Sequence, residues 1–139
     1  MTSPPDLADR ADVEALLWRF YGQVLSDEVL AEPFAEIRAR GLASHIPLMC
    51  DFWETVLFRA GLYRRNALIA HRRVHDRHPL SANHFTRWLC LWNATVDEMY
   101  CGPVADRAKL QAARIAKSMH RRLTGSDAGQ LDAVVALAG

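Results

Sequence analysis

The sequence predicts an all-α protein, and three observations carry that prediction. Apolar residues recur at i, i+3, i+4 and i+7 in several separate segments. Helix starts and stops bracket those segments, with Asn66 and Ser81 as caps and Gly61, Gly102-Pro103 and Gly125 as breaks. No segment alternates as a strand would, and there is no internal repeat. A chain of 139 residues is enough for one domain with one core.

In chain order, residues 1–11 read as a flexible leader and 12–125 as the domain. A first helix follows from Val13, Leu16, Leu17, Phe20, Tyr21 and Val24, with Tyr21 in phase with the apolar residues. The stretch 27–40, with Pro33 and Phe34, reads as short turns with room for a short helix. A longer helix covers about 42–60 and puts His45, Met49, Phe52, Trp53, Val56 and Leu57 on one face. Pro47 fits only near its start, where a missing N–H has no partner anyway. Gly61 ends this helix. Asn66 then caps a short helix carrying Leu68 and His71, which Asp76-Arg77-His78-Pro79-Leu80 breaks. Ser81 caps a helix with Phe85, Trp88, Leu89, Trp92, Val96 and Met99 in phase. A last helix, about 104–123, carries Val104, Ala108, Ala112, Ile115, Met119 and Leu123. The tail 126–139 is small and weakly apolar, and its pattern leaves a short helix and disorder both open.

Half of the residues are hydrophobic and the formal net charge is +1, which argues against disorder and gives no bulk attraction to nucleic acid. No apolar run approaches the ~20 residues of a membrane span. The polar start, Met1-Thr2-Ser3-Pro4-Pro5-Asp6, has no signal-peptide core. The expectation is a cytoplasmic protein with no nucleic-acid or membrane partner. The three cysteines, Cys50, Cys90 and Cys101, form no CxxC; Cys50 and Cys90 read as small core residues on helices. With no CxxCH, covalent c-type haem attachment is not expected.

His71, Tyr21, His45 and Trp88 are polar tips on otherwise apolar faces of four predicted helices. Taken singly, each has a plain reading. A lone core histidine is more often hydrogen-bonded than metal-bound, and Tyr21 or Trp88 can simply pack. His71 and His75 at i, i+4, with His78 following, also suit two ligands of a zinc ion, though no third ligand or HExxH pattern completes the site. Together, one candidate ligand facing three donors from separate helices is the arrangement a haem pocket needs, since buried polar tips need partners.

The ordered motifs carry a resemblance. Phe20-Tyr21 is followed by Pro33-Phe34, and His45 stands seven residues before Phe52-Trp53. Gly61-x-Tyr63, Leu68-x-x-His71 and His84-Phe85-x-Arg87-Trp88-Leu89-x-Leu91-Trp92 complete the set. Over about residues 12–123 the chain resembles the group III truncated haemoglobins, bacterial two-over-two globins. The tail beyond Gly125 and the Arg64-Arg65 pair are outside that likeness. The resemblance implies a shortened globin fold, a two-over-two helical sandwich around non-covalent haem b. It implies His71 as the proximal iron ligand and Tyr21, His45 and Trp88 as distal, ligand-binding residues. His84, the rival ligand, is expected outside the pocket.

On that basis Phe34, Met49, Phe52, Leu68 and Trp92 are expected as haem or pocket-wall contacts. Tyr63, Arg64, Arg65 and Arg72 are the candidates for the propionates. Neutral imidazole ligates iron and leaves the sixth position open. Donors around a gas that gains negative charge favour tight binding, sensing or redox chemistry over bulk delivery. The expected function is reversible binding of dioxygen and nitric oxide, with carbon monoxide as a further ligand, in a monomer or weak homodimer. One alternative is an oxidation of nitric oxide, or a peroxidase activity, driven by an external reductase, because the chain has no flavin or nicotinamide motif. Another is a haem-free helical interaction protein.

Overall fold

The computed structural model describes residues 3–58 and 80–124, with side chains to residue 121. All regular structure among the described residues is α-helical. The helices are α1 (Arg10–Ser26), α2 (Ala35–Arg40), α3 (Leu42–Phe58), α4 (Ala82–Met99) and α5 (Pro103–Thr124). The expected helix around Leu68 and His71, and the tail 126–139, lie outside the described residues.

The Asp9 carboxylate caps α1 by accepting from the N–H of Asp12 at 3.2 Å. Its predicted stripe, Val13, Leu16, Leu17, Phe20, Tyr21 and Val24, is buried as read from the sequence. α1 packs against both α3 and α4, and α4 packs along α5. Turns at 28–34 lead into α2, which Gly41 stops at a positive φ of 90°. Among the described residues, no helix is long and apolar enough to cross a membrane.

The structure corrects several expectations. The leader is not loose. Leu7 is buried, and the carbonyl of Pro5 accepts from the N–H of Cys101 at 2.9 Å. Asp6 caps α5 from a distance, accepting from the N–H groups of Val104 at 3.0 Å and Ala105 at 2.8 Å. Partial burial opposes its charge, but those donors, the N–H of Leu7 and the nearby Arg107 outweigh it and hold the carboxyl below its usual value. Gly102, at φ 139°, gives Asp6 its space; a Cβ there would stand 2.6 Å from the Asp6 carboxyl carbon.

Pro47 lies in the second turn of α3, not at its start. It therefore removes the N–H that would have reached the carbonyl of Ala43, a loss tolerated because both residues are exposed. The deepest face of α3 is Ile46, Cys50, Trp53 and Leu57, with His45, Met49, Phe52 and Val56 half-buried beside it. In α5 the core face is rotated toward Ala105, Ala108, Ala112, Ala113 and Ala116, leaving Val104, Ile115 and Met119 half-buried. Small side chains let α5 come close to α4, where the indole N–H of Trp92 reaches the carbonyl of Ala108 at 3.1 Å. Cys90 is exposed on α4, and Cys50 alone of the three cysteines is buried.

Candidate functional site

The site is built on an aromatic cluster in which α1 meets α3 and α4. Phe20 is fully buried and touches Tyr21, Trp88 and Trp92 edge-on at ring separations of 5.1, 5.8 and 4.9 Å. Trp53, Trp92 and Trp88 form a stack, with centroids 4.4 Å and 6.0 Å apart. Tyr21 meets the His45 ring edge-on at 4.8 Å and the Phe34 ring at 6.3 Å. The structure thus brings Tyr21 and His45 into direct contact and links Trp88 to them through Phe20.

These side chains differ in how their polar tips are satisfied. Trp92 is wholly buried and donates to Ala108, so it serves the core. The indole N–H of Trp88 has no acceptor among the described residues. The hydroxyl of Tyr21 likewise has no hydrogen-bond partner there, although the residue is 5% exposed. Burial pushes its phenol well above the ordinary tyrosine value, so it stays a neutral O–H donor. Buried polar groups are normally hydrogen-bonded. Neither of these two tips is a buried atom left without a partner, so both are open to water or to a bound molecule.

Trp88 also borders a small apolar cleft of about 40 Å³. Leu30 and Phe34 close one side, Leu80, His84 and Phe85 the start of α4, and Ile115, Ala116 and Met119 the side of α5. Phe34 and Trp88 were expected as pocket residues; Met49 and Phe52 instead pack half-buried against the core, and Trp92 does not border the cleft. His84 also lines this cleft. Its Nδ1 accepts from the N–H of Ser81 at 3.0 Å, so the neutral ring carries its proton on Nε2. Burial lowers its basicity, with the charge of Glu32 pulling the other way. A ring held in that tautomer caps α4 and has no lone pair left to offer a metal.

Sequence reading missed the residues that shape this cleft from the turns. Asp27 is buried at the end of α1, and its Oδ1 accepts from the N–H groups of Val29 at 2.9 Å and Leu30 at 3.2 Å. Its Oδ2 accepts from Arg87 Nε at 2.7 Å. The carboxylate thereby ties the turn bearing Leu30 and Phe34 to the helix bearing Trp88. A carboxylate just after a helix is a common turn residue, and nothing in its spacing marks it out.

His71, Tyr63, Leu68 and Arg72, together with Arg64, Arg65, His75 and His78, lie outside the described residues. Among the described residues, no three His, Cys, Asp or Glu side chains group into a metal site. No protein-family model, curated protein or solved structure matches the chain significantly.

Proposed function

We propose that this chain is a haem b protein of the two-over-two globin type that reversibly binds dioxygen and nitric oxide. The observation that carries this reading is the pair of unpartnered donors, the Tyr21 hydroxyl and the Trp88 indole N–H, set in one aromatic cluster with His45 beside an apolar cleft. The cleft lining is mostly apolar, as a haem's surroundings would be, and the cluster offers donors without competing acceptors. The motif order from Phe20 to Trp92 supplies the rest of the argument.

In this reading His71 holds the iron, Phe34 and Leu68 belong to the haem surroundings, and Tyr63 and Arg72 sit at the rim. When bound, the haem supplies an iron with one position open to a diatomic gas. Tyr21 and Trp88 donate hydrogen bonds to a ligand that gains negative charge, each worth roughly 1.5–3 kcal/mol. His45, packed on Tyr21, screens the approach.

The test is a haemin titration of the purified chain, with spectra of the reduced form with and without carbon monoxide. About one haem per chain is expected, in keeping with a single axial histidine. His71→Ala should lose haem, or recover its spectrum when imidazole is added, whereas His84→Ala should retain haem. Failure to bind haem stoichiometrically sinks the reading, and the reverse result for the two histidines sinks the ligand assignment. Turnover of nitric oxide with an added reductase would make the protein an enzyme rather than a binder.

A further inference from the structure

Between α1 and α3 the chain runs through residues 28–40, a strap made of turns and the short helix α2. The strap forms one wall of the apolar cleft, through Leu30 and Phe34. The other walls are Leu80 and the helices α4 and α5.

The strap is held differently from those walls. Leu30 and Pro33 are its only buried residues, and α2 has none. Two arginines tie it down. Arg87 of α4 donates from Nε to the Asp27 carboxylate at 2.7 Å, and that carboxylate also accepts from the N–H groups of Val29 and Leu30, where the strap begins. Arg38 of α2 donates to the carbonyl of Leu25, one of the last carbonyls of α1 and so without a helical donor. The strap ends on Gly41, at φ 90°, where the absence of a Cβ leaves the backbone free to rotate.

The cleft behind it has room for about 40 Å³, enough for a molecule of a few atoms. A larger occupant needs one wall to move. α4 and α5 are packed along each other, and Trp92 of α4 bonds the carbonyl of Ala108 on α5. Parting them breaks the core, whereas lifting the strap uncovers little more than Leu30, Pro33 and Phe34.

We propose that residues 28–40 form a hinged lid, latched by Arg87 on Asp27 and by Arg38 on the Leu25 carbonyl, that opens locally to admit an apolar ligand larger than the closed cleft. The lid turns at Asp27 and Gly41 and leaves the long helices in place. Its opening is a property of the cleft wall and does not depend on haem binding.

Ala116 is 2% exposed and lines the cleft, whereas Cys50 is 1% exposed and lies on α3 away from it. An Ala116→Cys variant with Cys90→Ser and Cys101→Ser therefore carries one thiol behind the lid and one that reports global unfolding. Labelling with dithiobis-nitrobenzoate should modify the introduced thiol much faster than Cys50. Adding Arg87→Gln or Arg38→Met should speed the introduced thiol about tenfold, the equivalent of one charge-assisted hydrogen bond, and leave the Cys50 rate nearly unchanged. Hydrogen exchange on the chain without Ala116→Cys gives a second reading. The amides of Ala31, Phe34, Arg38 and Gly41, all bonded within the strap or to its ends, should exchange together and faster than those of α1 and α4. Equal labelling of the two thiols, labelling that neither arginine variant accelerates, or strap amides that exchange only with global unfolding would overturn the proposal.

Discussion

At the level of single residues, Tyr21 and Trp88 stand apart because neighbouring aromatic rings are already satisfied. Phe20 has no polar tip, and Trp92 donates to Ala108. Removing the Tyr21 hydroxyl by Tyr21→Phe, or the Trp88 N–H by Trp88→Phe, keeps the ring contacts. Under the haem reading each should change the oxygen dissociation rate about tenfold or more, the kinetic equivalent of one charge-assisted hydrogen bond. Carbon monoxide dissociation should change far less, because that ligand carries little negative charge. Stopped-flow rates for both gases check this; equal effects would mean packing or access instead. His45 is half-buried against Tyr21 and lies in the first turn of α3. His45→Ala should speed ligand entry and leave the spectrum unchanged. A low-spin spectrum in the parent that disappears in His45→Ala would make His45 an iron ligand.

Among the elements, α1 and α4 were legible because their burial follows a plain 3.6-residue period of large apolar residues. The core face of α5 was read only in part, since Ala108 and Ala112 of the predicted stripe are buried but Ala105, Ala113 and Ala116 were not expected there, and the reason is physical. Hydrophobic size draws attention to Val104, Ile115 and Met119, whereas close helix packing selects the alanines beside them. Pro47 misled in a similar way, since an exposed second turn tolerates a lost hydrogen bond that a buried one would not. The donor pair of the candidate site was legible from phase alone. The Asp27–Arg87 tie was not, because it joins residues 60 positions apart. The cap on α5 is equally remote. Asp6→Ala should destabilise the protein by about 1 kcal/mol, the usual loss for a helix cap, measured by urea unfolding. Asp27→Ala should cost about 1–3 kcal/mol, since it leaves several donors unmatched. It should also perturb the resonances of Leu30, Phe34 and Trp88; a change confined to the Asp27 turn would contradict its role in shaping the cleft.

For the molecule as a whole, these two carboxylates set a direction of pH dependence. Burial opposes the charge of Asp27 as it does that of Asp6, but Arg87 and the N–H groups of Val29 and Leu30 outweigh it and hold its carboxyl low. In both cases the folded value lies below the ordinary 3.8. Their contribution is therefore complete at pH values above the unfolded pKa and is lost as pH falls through the folded one. The double variant Asp6→Asn, Asp27→Asn should be less stable at neutral pH yet show a shallower decline on acidification below about pH 4. Acid unfolding monitored by circular dichroism checks the slope; parallel curves for parent and variant would show that other groups govern acid stability.

Asp6 and its contact with the start of α5 also bear on the order in which the chain can mature. The two hydrogen bonds span 98 and 99 residues, so a nascent chain synthesises the cap long before the helix it serves. Closing so long a loop is slow compared with forming a local turn. Until α5 emerges from the ribosome, Asp6 lacks these two donors and the first segment should stay open to proteases. Trimming back past Asp6 would then resemble deleting part of α5 itself, so the opposite ends of the described chain should fail together.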